Sequence, residues 1–167
     1  MPTLLEAKGV TFTHSLLYSS IIAVAYPLSL LLWMVVAADR FERKWMIVTA
    51  AAGVAVCGAL FSPQVSAVTL VLLGILITSF NTLLSLSYHP YQAELYPTAI
   101  RARAVGFTYS FSRLSTVLTS FIIAGLLGSF GSVGVFTFIT GSMVVVISVI
   151  GLLGPLTRNR TLDEISK

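Results

Sequence analysis

Charge is what this sequence has least of. Asp, Glu, Lys and Arg make up only 10% of its 167 residues, against about a quarter in ordinary soluble domains. So little charge cannot cover the surface of a water-soluble fold, which points to a membrane protein. Acids are the scarcer sign: there are 6, and none lies in the middle of an apolar run. Cysteine is nearly absent. The single Cys57 sits in an apolar stretch, which excludes a disulfide framework and leaves the redox compartment unread. There are only 2 histidines, His14 and His89. No paired mid-chain carboxylates, Cys–His couple, glycine-rich phosphate loop or metal-ligand spacing occurs. An enzyme is therefore excluded, and no cofactor or metal is expected. Met1 to Lys8 lack the basic start and apolar run of a signal peptide.

What is there is apolar, at 56% hydrophobic residues and a mean hydropathy of +0.95. The apolar residues gather into five segments, about 15–38, 45–61, 67–88, 104–127 and 133–153. Each is near the roughly 20 residues that a bilayer crossing takes as a helix. Strands are excluded, because runs this long do not alternate and a lone strand leaves its backbone groups unsatisfied in lipid. The expected fold is all-α, a single polytopic membrane domain of five transmembrane helices in contact with the lipid bilayer.

The 10 basic residues set the orientation. Arg40, Arg43 and Lys44 follow the first segment. Arg101 and Arg103 precede the fourth, and Arg158, Arg160 and Lys167 follow the fifth. In a five-pass zigzag all eight fall on one face; the other has Lys8 alone and two uncharged turns, Ser62–Ser66 and Gly128–Ser132. Basic loops stay in the cytoplasm, so the amino terminus is expected outside and the carboxyl terminus inside a plasma (inner) membrane. The same asymmetry accounts for the net charge of +4 with no nucleic acid as partner.

One polar stretch, Glu94 to Gly106, divides the chain. Pro97 stops any helix entering from Tyr91, and Thr98 is placed to cap the next helix. Arg101 and Arg103 then stand in that helix's first turn, the unfavourable end for a cation. An anionic membrane surface or an acidic partner would hold them there. The stretch resembles E-L-Y-P-T-x-x-R-x-x-x-x-G, the loop between the tenth and eleventh helices of major facilitator superfamily transporters in the sugar-porter and metabolite–proton symporter branches. Asp39–Lys44 is similar to the charged loop after their eighth helix. Pro155–Ile165 is similar to the tail after their twelfth. The chain departs from those patterns at Val35, Glu42, Leu156 and Asn159.

The resemblance spans essentially the whole chain and the carboxyl-terminal half of such a carrier. It implies that the five segments are equivalent to helices 8–12, with Met1–His14 closing a seventh helix that this chain lacks. The absent amino-terminal half, or self-association, would then supply the other wall of the pathway. It further implies part of a secondary active transporter for a small organic solute, an organic anion or a sugar, coupled to protons. The alternative is a truncated membrane fragment or interaction protein that does not transport.

Three segments carry polar residues at helical spacing: Ser15, Ser19, Tyr26, Ser29 and Trp33 in the first; Thr78, Asn81, Thr82, Ser85 and His89 in the third; Tyr109, Ser112, Arg113, Thr116 and Ser120 in the fourth. These stripes are expected to face a wet interior, and the barer second and fifth segments to face lipid. Pro27, beside Tyr26, is expected to kink its helix. Arg113 lies about 15 Å deeper than Arg103 at helical rise. Two readings stand for it: bidentate binding of a substrate carboxylate, or a structural arginine snorkelling to the interface. Asn81, Tyr26, Tyr109 and Trp33 are the accompanying substrate-binding candidates, with interhelical packing as their alternative. His89 is either a proton carrier or an interfacial histidine. The charged loops, through Asp39, Arg40, Arg43, Glu94 and Arg101, are expected to form a latch on the cytoplasmic side, with Asp39 paired to Arg43 or Arg101.

Overall fold

The computed structural model describes residues 12–36, 41–61, 63 and 66–155. Among them the regular structure is helical: α1 (Phe12–Val36), α2 (Arg43–Phe61), α3 (Ala67–Glu94) and α4 (Arg101–Leu153). Each is long and apolar enough to cross a membrane.

Five separate helices were expected, and the difference lies in α4. Its 53 residues would extend about 80 Å if straight, far beyond the roughly 30 Å of a hydrocarbon core. The helix is broken at Gly131, where φ is 63° and ψ is −157°, a region that glycine enters without a Cβ clash. The chain folds back there. Thr108 before the break and Ile150 after it line one crevice. Thr140 Oγ1 lies 3.5 Å from the Ala55 carbonyl oxygen of α2. The expected fourth and fifth segments are thus two arms of α4, which makes five passes among the described residues. The expected turn from Gly128 to Ser132 contracts to one non-helical residue.

The polar stretch also differs in detail. α3 runs through Pro90 to Glu94, past the expected end at Tyr88. Thr98 does not cap α4: the cap position is Ile100, without a side-chain hydrogen bond. Pro97 does the work instead, its carbonyl accepting the Ile100 and Arg101 amides at 3.1 and 2.9 Å.

α2 occupies the centre of the bundle, between α3 and the second arm of α4. Met46, Ile47, Ala50, Ala51, Val54, Ala55, Cys57, Gly58 and Phe61 are all buried. Its opposite face is exposed at Trp45, Val56 and Leu60, so the second segment packs on its neighbours on one side and keeps the other side free for lipid. In a membrane, close approach of backbones rather than polarity selects the interior helix, and α2 is rich in small residues. Gly53 leaves room for the Phe80 ring, which a Cβ would meet at 2.5 Å, and Gly74 of α3 does the same for Ile22 of α1. Two apolar clusters mark the levels of packing. Phe61, Leu70 and Phe136 form one, with Tyr18 and Ile139 against it; Met46, Ala50 and Leu83 form the other, with Trp33 and Leu84.

The polar stripes do not act as a set. Ser15 and Ser29 are buried, whereas Tyr26 is exposed. In the first arm of α4 nearly every residue is exposed, including Ser112, Arg113, Thr116 and Ser120. Many hydroxyls bond back to their own helix, as Thr82 does to Thr78, Thr116 to Ser112 and Ser120 to Thr116, each at 2.8–2.9 Å. Satisfied in this way, they no longer need water.

Candidate functional site

The end of α3 supplies most of the site. Asn81, Ser85, Tyr88 and His89 recur at three- and four-residue spacing, which places them along one side of a helix. They line a groove of about 410 Å³ whose apolar wall is Ile47 of α2 with Val146 and Ile150 of α4. A mostly apolar concavity with a few hydrogen-bonding groups is the ordinary form of a small-molecule site. Asn81 offers a donor and an acceptor there, and Ser85 and Tyr88 offer hydroxyls.

Tyr109 brings the first arm of α4 to this groove. Its hydroxyl lies 3.0 Å from His89 Nδ1, and the two rings stack at 5.6 Å with an interplanar angle of 10°. That pair sets the register of two antiparallel helices. Arg113 lies one helical turn beyond Tyr109 on the same arm. Arg113 is exposed and does not line the groove. Among the described residues no ion pair reaches it.

The remaining solute candidates lie apart. Tyr26 is on α1, exposed, away from the groove. Trp33 turns toward α3, where its indole N–H donates to both the carbonyl and the hydroxyl oxygen of Ser79 at 3.0 Å. Its one donor is thereby committed to helix packing, leaving only the ring face for a ligand.

Of the charged loops, Arg43 and Glu94 meet. Arg43 Nε lies 2.7 Å from Glu94 Oε1, tying the start of α2 to the end of α3, with 31% and 35% of the two side chains exposed. Arg101 instead donates from Nε to the Tyr96 carbonyl oxygen at 3.3 Å. Asp39 and Arg40 lie outside the described residues, as does the tail beyond Pro155.

Three features were missed from the sequence. The His89–Tyr109 stack is one. The second is Tyr91, whose hydroxyl donates to the Pro155 carbonyl oxygen at 3.0 Å. The third is Gln92, buried with an Nε2 that lacks a hydrogen-bond partner among the described residues. The available signal was the run Tyr88, His89, Tyr91, Gln92, Tyr96, which keeps polar and aromatic groups together at the end of one helix.

The profile of the family described as sugar (and other) transporter matches residues 2–167. The inner membrane metabolite transport protein YdjE of Escherichia coli (strain K12) is 27% identical over 168 residues, covering 100% of this chain and 37% of the relative. YyaJ of Bacillus subtilis (strain 168), named for metabolite transport, is 27% identical over 94% of this chain and 35% of its own length. NiaP of the same Bacillus, named for niacin and nicotinamide transport, is 25% identical over 98% of this chain and 41% of its own length. The chain therefore spans well under half the length of these relatives.

Proposed function

We propose, from the premise that the chain belongs to the sugar (and other) transporter family of the major facilitator superfamily, that it forms part of a secondary active transporter for a small organic anion. The observation that carries this reading is Arg113. A guanidinium about 18 Å along α4 from Arg101, with no ion pair among the described residues, is costly in lipid and favours an anionic occupant. The groove at the end of α3 offers hydrogen bonds from Asn81, Ser85 and Tyr88. A relative named for niacin and nicotinamide transport, the first a carboxylate at neutral pH and the second neutral, supports a small organic solute.

Proton coupling belongs to this reading. No acid lies inside the described helices except Glu94, at the end of α3, so the coupling carboxylate belongs to another part of the carrier. That other part also covers the exposed first arm of α4. Purified full-length carrier in liposomes, under an imposed inward proton gradient, is expected to take up labelled monocarboxylates saturably and to lose that uptake with a protonophore. Uptake of neutral sugars with indifference to carboxylates would overturn the anion reading.

The basic residues Arg43, Lys44, Arg101 and Arg103 support a cytoplasmic location for the membrane face where α2 begins and α3 ends. In a Cys57-free background, a single cysteine at Ser66 is expected to react with an impermeant maleimide added outside, and one at Arg101 to stay unlabelled. The opposite pattern would invert the topology.

A further inference from the structure

The groove of the proposed solute site is not the only concavity at this end of the bundle. A second crevice of about 310 Å³ lies between the end of α3 and both arms of α4. Tyr88, Tyr91 and Gln92 line it from α3 and Tyr96 from just beyond, with Thr108 from the first arm and Val149 from the second. α3 ends at Glu94 and α4 both begins at Arg101 and ends at Leu153, so the crevice lies level with one membrane interface. Tyrosine gathers at that depth because its ring is apolar and its hydroxyl wet.

Gln92 gives the crevice its chemistry. The residue is 7% exposed, and its Nε2 has no hydrogen-bond partner among the described residues. A buried amide donor left unpaired costs about 1–3 kcal/mol, so such groups are rare unless an absent molecule completes them. The completing group must accept a hydrogen bond. Arg101, whose Nε bonds the carbonyl oxygen of the lining residue Tyr96 at 3.3 Å, brings positive charge beside the rim, where it offsets the Glu42 and Glu94 carboxylates near Tyr91. Away from Gln92 the wall is aliphatic, with Val149, Ile150 and Leu153 lining it, and it opens to lipid where Val149 and Leu153 are exposed. The tether from Tyr91 to the Pro155 carbonyl oxygen holds the crevice preformed.

We infer that this crevice binds an anionic phospholipid. Its phosphate or ester oxygens accept from the Gln92 amide beside Arg101, and an acyl chain runs along Val149 and Leu153. Acceptor oxygens, negative charge and a continuous apolar tail meet the three features of the crevice together; a water or a soluble anion meets at most two. The inference does not depend on the solute reading, because its readout is lipid binding.

The test uses full-length carrier in nanodiscs or detergent, titrated with phosphatidylglycerol, phosphatidylcholine and, as the soluble arm, glycerol phosphate. Retained lipid is counted by native mass spectrometry. Wild type is expected to retain phosphatidylglycerol in preference to the other two. Gln92→Leu is expected to weaken that retention about tenfold, the effect of losing one hydrogen bond to a charged group. Val149→Trp alters an exposed position and fills the crevice, and is expected to reduce retention likewise with folding intact. Unchanged retention in Val149→Trp, or in folded Gln92→Leu, would overturn the proposal. So would equal retention of phosphatidylcholine, or saturation by glycerol phosphate alone.

Discussion

Arg113→Ala in the full-length carrier is expected to abolish saturable uptake of the anionic solute, while Arg113→Lys retains uptake with KM raised about tenfold, or 1.4 kcal/mol. The separation of the two variants follows from geometry. Lysine keeps the charge but loses the planar fork that grips both oxygens of a carboxylate. The competing role for Arg113 is structural, as a side chain that snorkels to the interface. A charge at the centre of a membrane helix is worth about 2.5–3.5 kcal/mol on insertion scales, so a structural arginine and a binding arginine are equally costly to place. They differ in what alanine does. If Arg113 only snorkels, Arg113→Ala inserts more easily and the protein binds solute with unaltered affinity. That result, measured by solute binding to purified carrier, would end the anion reading at this residue. Ser85, which lines the groove, adds a second check. Ser85→Ala should raise KM modestly and leave Vmax alone, because the hydroxyl would contribute one neutral hydrogen bond of roughly 1 kcal/mol.

Glu94→Arg is expected to slow transport about tenfold, an effect of about 1.4 kcal/mol, with KM little changed, and the exchange Arg43→Glu with Glu94→Arg should recover most of the rate. Arg43 and Glu94 lie 2.7 Å apart across the start of α2 and the end of α3, each about one-third exposed. Exposed pairs contribute only about 0.2–1 kcal/mol, so losing this one should leave the fold intact. Reversal does more, because it sets two guanidinium groups against each other where the helix ends must approach. In a carrier that alternates between two states, a contact made in one state alone biases their populations by its own free energy. The effect therefore belongs in the rate of cycling rather than in solute affinity. Salt provides a further reading: the wild-type rate should shift with ionic strength, since the pair is open to screening, and the Arg43→Gln, Glu94→Gln double variant should lose that response. Failure of the charge exchange to restore the rate would leave the pair as an incidental surface contact.

The membrane character of this chain, its helices and the polar stretch around Pro97 were determined by sequence alone. These properties are local sums. Twenty apolar residues without charge are a membrane helix wherever they stand, because lipid offers the backbone no other partner. Basic residues likewise cluster at loops whatever the helices do between them. The tertiary structure decided what depends on pairs. It put α2 at the centre, since Gly53 and the alanines of α2 permit close approach that hydropathy does not register. It replaced a five-residue turn with the single positive-φ residue Gly131, which only glycine's conformational range explains. It committed Trp33 to Ser79 and joined Arg43 to Glu94, partners separated by dozens of residues and invisible to periodicity. It also turned Gln92, an unremarked amide at a helix end, into a buried donor without a partner among the described residues. A hydrogen-bonding group declares its need only when neighbours from other helices enclose it, and no single stretch of sequence contains those neighbours.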